Sequence, residues 1–105
     1  MAPRAVVWTR HARQDLLNSL SYLVHEVLAP AAAARLLDEL EAAASSLATL
    51  PDRGRIVPEL GLPRREILVG RYRMVYRVRE EVEILRLIHT RQDFARAWRK
   101  VPPPR

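Results

Sequence analysis

Residues Gly70 to Arg91 read GRYRMVYRVREEVEILRLIHTR. Two β-branched and aromatic runs flank the acidic pair Glu80-Glu81, the signature of a β-hairpin. Side chains alternate between faces along a strand. Tyr72, Met74, Tyr76 and Val78 therefore share one face, which reads as core. Arg73, Val75, Arg77 and Arg79 share the other, which reads as a basic surface. The second run ends in His89, and its face depends on the turn. A two-residue loop at Glu80-Glu81 pairs Arg79 with Val82 and puts His89 on the Tyr72 face. A three-residue loop pairs Arg79 with Glu83 and puts His89 beside Arg73. Neither loop carries the Gly or Asn that would fix the turn, so both registers stand.

Outward from the hairpin, REILV (Arg65 to Val69) is a third strand, joined through Gly70-Arg71. Pro51, Gly54, Pro58, Gly61 and Pro63 mark the preceding segment as irregular, a connection long enough to carry a role of its own. Earlier still, Leu36, Leu37, Leu40, Ala43, Ala44 and Leu47 keep helical period behind Pro30, predicting a helix to about Thr49. Leu16, Leu17, Leu20, Leu23, Val24 and Val27 predict another over about Arg10 to Val27, with Thr9 as its cap. Ala5 to Thr9 (AVVWT) reads as a first strand. After the hairpin, Asp93 caps a short helix in which Phe94, Trp98 and Val101 share a face. The order strand, helix, helix, three strands, short helix defines an α+β fold. Two antiparallel helices pack on one face of a small, mainly antiparallel sheet, and the other face is left partly open.

The 105 residues make one domain, 1–105, with a disordered tail at about 102–105. There is no cysteine, which excludes disulfides and thiolate metal sites. The N-terminus lacks the apolar run of a signal peptide and no stretch reaches the length of a membrane span, so the expected location is the cytoplasm, without membrane contact. Three scattered histidines make no zinc site, and neither a phosphate-cradling Gly-rich loop nor a Ser/His/Asp pattern is present; no cofactor is expected. The net charge of +6 is asymmetric. Residues 1–52 hold four basic groups against six acids, a net of −2, and residues 53–105 hold fourteen against six, a net of +8. Only Lys100 among the basic residues is a lysine. A GC-rich coding sequence accounts for the preference for arginine but not for its concentration in one half. That concentration points to a polyanion or an acidic partner.

Four segments in this order, VVWTRHARQDL, LPDRGRIVPEL, REILVGRYRMVYRV and VEILRLIHTRQD, resemble the RelE/ParE superfamily of toxins from bacterial type II toxin–antitoxin systems. The resemblance covers Val6 to about Asp93. It implies the fold already read from periodicity and a cytoplasmic protein paired with a small antitoxin. Many members cleave mRNA on the ribosome without a metal; the ParE branch inhibits DNA gyrase. For the nuclease branch, Arg73 matches the arginine at the scissile phosphate. Glu59 resembles the general base of one subgroup, and His89 its acid. Arg91 resembles a further basic residue near the last strand. Two features depart from that pattern: Thr90 stands where the subgroup has an aromatic residue, and the central lysines of another subgroup are replaced by arginines such as Arg53, Arg55, Arg64 and Arg65.

Metal-free RNA cleavage needs a base for the 2′-hydroxyl, positive charge at phosphorus and an acid for the leaving oxygen. Glu59, Arg73 and His89 are the candidates. Arg65, Arg77, Arg79 and Arg91 are candidates for binding RNA or antitoxin. The leading expectation is therefore a metal-independent, ribosome-dependent mRNA endoribonuclease that arrests translation. The alternative is a gyrase inhibitor without catalytic activity, and a third reading is a degenerate member acting as a repressor component. In each, an acidic antitoxin segment lies across the basic sheet face, and operator DNA is reached only through the antitoxin complex.

Overall fold

The computed structural model describes residues 2–100. The elements are β1 (Val6–Trp8), α1 (Arg10–His25), α2 (Pro30–Ser46), β2 (Arg55–Ile56), β3 (Arg64–Val69), β4 (Tyr72–Val78), β5 (Val82–His89) and α3 (Phe94–Arg99). They form one five-stranded sheet in the order β1-β5-β4-β3-β2. β1 runs parallel to β5, and every other pairing is antiparallel. The α+β order read from the sequence is the order observed. β2 is an addition, a two-residue strand inside the segment read as irregular. The tail at 102–105 and the place of Val101 on the last helix lie outside the described residues. Among the described residues no helix is long and apolar enough to cross a membrane.

Local chemistry sets the helix ends. The Thr9 hydroxyl accepts from the Ala12 amide and caps α1. Pro30 opens α2, where its missing N–H costs nothing. Between the two helices Leu28 adopts φ 58°, a left-handed position that glycine usually fills, and it is 76% exposed. At the β3–β4 turn Gly70 takes φ 56°, as the first position of a tight hairpin turn requires.

The sheet carries a core on each face. Toward α1 and α2, Leu36, Leu40, Leu47, Met74, Tyr76 and Ile84 pack with their neighbours. A leucine as fully buried as Leu40 contributes about 2 kcal/mol. On the opposite face Val57, Val75, Ile88, Phe94 and Ala97 form a second cluster, roofed by α3 and the 57–60 segment. The face expected to be partly open is therefore largely covered. The Tyr76 hydroxyl links the main core to the loop before β2: it donates to the Pro51 carbonyl at 2.7 Å and accepts from the Gly54 amide at 2.8 Å. A Cβ at Gly54 would lie 2.6 Å from both that hydroxyl and the Glu66 carbonyl, so only glycine fits there.

The hairpin register follows neither loop taken alone. Val78 pairs with Val82, leaving a three-residue connection, yet Tyr72 pairs with His89. The register shifts between Val75 and Tyr76, because Leu85 is an extra residue on β5. This bulge reverses the parity of β5, so that Ile84 and Leu87 both face the helices and His89 ends opposite Tyr72. The N-terminal part of α1 secures it. The Thr9 hydroxyl donates to the Leu85 carbonyl, and the Asp15 carboxylate accepts from the Leu87 amide at 2.9 Å. β1 ends at Trp8, opposite Ile84, so Asp15 occupies the edge of β5 that β1 leaves open. Arg86 closes the arrangement. Its guanidinium donates to Asp15 at 2.8 and 3.2 Å and to the Ala97 and Trp98 carbonyls at the end of α3. Its donors are thus spent on holding α1, β5 and α3 together.

Truncating one partner of a largely desolvated pair strands the other charge. Arg86→Ala is expected to cost about 3 kcal/mol by urea denaturation, leaving Asp15 uncompensated and α3 undocked. Tyr76→Phe, which removes one hydroxyl and leaves the Gly54 amide unpaired, is expected to cost about 1–2 kcal/mol in the same assay.

Candidate functional site

Glu66 sits at the centre of the charged face. It stands on β3 opposite Val75, is only 1% exposed, and its carboxylate has no exposed surface. Oε1 accepts from Arg73 Nε at 2.6 Å, and Oε2 accepts from Arg55 Nε at 2.7 Å and Arg73 Nη2 at 3.2 Å. The outer edge of the Arg73 guanidinium meets Glu59. Nη1 donates to Oε2 at 3.0 Å and Nη2 to Oε1 at 2.6 Å, a two-pronged fork. The guanidinium carbon lies 4.0 Å from the centre of the Phe94 ring, and the Arg73 side chain is 12% exposed. Hydrogen bonding to Glu59, reinforced by Glu66 and offset in part by burial, raises the Arg73 pKa. The same hydrogen bond holds the Glu59 carboxyl below the usual carboxylate range.

The guanidinium groups of the other candidate arginines are engaged unevenly: Arg64 and Arg79 have no ion pair among the described residues, and the buried Nε of Arg64 has no hydrogen-bond partner. Arg77 pairs with Glu83. Arg64 lies over the Trp98 ring at 5.9 Å. Arg65, on the helix-facing side, donates to the Gly54 carbonyl and approaches Asp52. Arg79 lies in the turn after β4, where its carbonyl accepts from Arg4.

His89 occupies the opposite side of the sheet from Arg73. Its ring meets Tyr72 edge to face, with centroids 5.0 Å apart. Nδ1 accepts from the Arg91 amide at 3.0 Å, which leaves the remaining proton on Nε2 of the neutral ring. Burial lowers its pKa, and the cations Arg91 and Arg71 lower it further. Burial likewise leads the lowering at His11, followed by the charge of Arg86. Both rings border a cleft of about 760 Å³ between α1, the end of the β4–β5 hairpin and the end of α3. Tyr22, Leu23, Tyr72 and Leu87 supply its apolar lining, and Arg71, Arg91 and Lys100 stand on it as cations.

The fold thus joins Glu59 to Arg73 and separates both from His89 and Arg91. Arg65, Arg77 and Arg79 are dispersed. Sequence reasoning missed Glu66, Arg55 and Phe94 around Arg73, and Arg71 and Lys100 at the cleft. For Glu66 a signal existed: an acid on the strand adjoining an arginine face is a candidate cross-strand partner. Among the described residues no three His, Cys, Asp or Glu side chains gather as a metal site.

The model of the family described as ParE toxin of type II toxin-antitoxin system, parDE, matches residues 6–94. Similar solved structures include the chromosomal ParDE toxin–antitoxin system from P. aeruginosa, 21% identical with a TM-score of 0.70. That match covers 82% of this chain and 95% of the other. Another is the toxin–antitoxin complex RelBE2 from Mycobacterium tuberculosis, 31% identical with a TM-score of 0.59, covering 85% of this chain and 93% of the other. No curated protein sequence matches significantly. The class so defined is the toxin of a type II toxin–antitoxin system. Within it, the chain belongs to the ParE toxin family of the RelE/ParE superfamily.

The Glu59–Arg73 fork makes a pH signature. The folded-state pKa of Glu59 lies below its ordinary 4.5, so the stability it lends is complete above that value and drains away as the pH falls through the lowered one. Glu59→Gln is expected to flatten the loss of stability between about pH 5 and pH 2, followed by urea denaturation across that range. Because the Glu59 side chain is 40% exposed, the cost at pH 7 is expected to stay under about 1 kcal/mol.

Proposed function

We propose that this toxin acts by binding and inhibiting a macromolecular target, DNA gyrase, and not by cleaving mRNA. The observation that carries this reading is the state of Arg73. A phosphate-binding arginine must offer its fork to the ligand, whereas this fork is taken by Glu59 and Glu66 beneath Phe94. The supporting chemistry points the same way. Glu59 is held below the usual carboxylate range, which weakens it as a base. His89, the candidate acid, lies across the sheet. The match of residues 6–94 to the ParE model supports the same branch. The 31% identity to the RelBE2 complex keeps the nuclease as the reading to test against. The toxin's partner is a cognate antitoxin, as in the complexes named for both structural relatives.

Purified toxin in excess is expected to abolish supercoiling by gyrase and to release linear plasmid after protein digestion. Glu59→Ala is expected to leave growth arrest within about twofold of wild type, since the residue takes no part in inhibition. Transcript ends mapped after induction are expected to be unchanged. Toxin-dependent cuts on ribosome-bound mRNA that vanish in Glu59→Ala would establish the nuclease instead.

A further inference from the structure

We propose that the cleft between α1 and the end of the β4–β5 hairpin is the seat of an acidic, apolar-bearing peptide segment of the antitoxin. The inference rests on the antitoxin reading above and assigns that partner a place other than the basic sheet face.

Charge bookkeeping separates the two surfaces. On the sheet face Arg55 and Arg73 share Glu66 and Glu59, and Arg77 has Glu83; Arg64 has no ion pair there among the described residues, but a polyanion spanning the face would have to displace built-in carboxylates. At the cleft the balance is reversed. Arg71, Arg91 and Lys100 have no ion pair among the described residues, and the one carboxylate lining the cleft is that of Asp15. Among the described residues the cleft is thus a cationic site whose one lining carboxylate is already committed, through both oxygens, to Arg86 and the Leu87 amide. The depressed pKa of His89, set first by burial and then by Arg91 and Arg71, reports the same positive field.

The lining decides the class of ligand. Tyr22 is 59% exposed, and Leu23 and Tyr72 are partly so, which gives apolar surface directly beside the cations. A sugar-phosphate chain would meet the cations but leave the leucine surface unsatisfied. A peptide carrying Glu or Asp among Leu or aromatic residues satisfies both at once. Arg71 and Arg91 present forked donors suited to carboxylates and are exposed at hairpin and post-strand turns, so they reach the ligand without disturbing the core.

The test uses the full chain and a fluorescein-labelled peptide of about twelve residues built from Glu, Leu and Tyr, with a Gln-for-Glu version as control. Binding is expected to shift amide resonances of Tyr22, Arg71, His89 and Arg91 and to fade with added salt. Arg71→Gln combined with Arg91→Gln is expected to weaken binding by about tenfold or more. Arg79→Gln combined with Arg96→Gln, which removes the same charge elsewhere, is expected to weaken it by less than about twofold. Equal losses in the two double variants, shifts confined to the Arg73 face, or a short RNA that displaces the peptide at equal concentration would overturn the assignment. Co-expression with the product of the adjoining reading frame separates the two ideas. A complex indifferent to the Arg71/Arg91 double variant overturns the cleft and leaves the antitoxin reading intact. Failure of the wild type to form any complex overturns the antitoxin reading, and the peptide result then decides the cleft by itself.

Discussion

A carboxylate with no exposed surface dictates the charged side of this protein. Glu66 stands in the middle of β3, where an unpaired charge would be prohibitively costly. Arg55 and Arg73 compensate it from the two neighbouring strands. Much of the local structure is consistent with that demand. Arg55 belongs to a strand only two residues long, flanked by Gly54, whose missing side chain leaves room for the Tyr76 hydroxyl and the Glu66 carbonyl. Arg73, already committed to Glu66, turns its free edge to Glu59 and its plane to Phe94. A buried ion pair need not add net stability over an apolar replacement, but it admits few alternative arrangements. Here it fixes how β2, the 57–60 segment and α3 sit on the sheet.

A second knot organises the far edge. β1 ends early, and Asp15 reaches from α1 to take the amide that a longer strand would have paired. Arg86 then joins that carboxylate to the end of α3, where its charge also complements the helix dipole. The two knots have opposite consequences. Around Glu66 the cations are consumed. Around Asp15 one cation suffices, and the neighbouring Arg71, Arg91 and Lys100 keep their charge available. A protein whose second half is strongly basic therefore has one electrically quiet face and one electrically active cleft.

Much of this architecture was legible beforehand. The leucine spacing of the helices, the Thr9, Pro30 and Asp93 starts and the three C-terminal strands all follow from period and capping. β2 was not legible, because two residues between prolines and glycines carry no periodic signal. The register of β5 was not legible either, because the bulge at Leu85 is held by Thr9 and Asp15, more than seventy residues away in the chain. The site was legible in part. The sequence singles out Arg73 as a phosphate ligand, but it is found committed to Glu66 and Glu59; alternation looks the same for a solvated arginine row and for one neutralised by an adjacent strand. Only the three-dimensional position of Glu66 distinguishes them. His89 and Arg73 could be assigned to one catalytic set only by assuming the parity that the bulge reverses.

That bulge bears on how surfaces of this kind diversify. It is a parity element: one residue decides which side of the sheet receives everything that follows it on β5. Deleting Leu85 itself would restore regular alternation and keep His89 opposite Tyr72, whereas a strand of unchanged length that paired without the bulge would exchange the sides of His89 and Ile88. Two close relatives of identical fold can therefore differ in which face carries the histidine, with no substitution at the histidine itself. Aligning such chains by residue type alone would equate side chains that point in opposite directions.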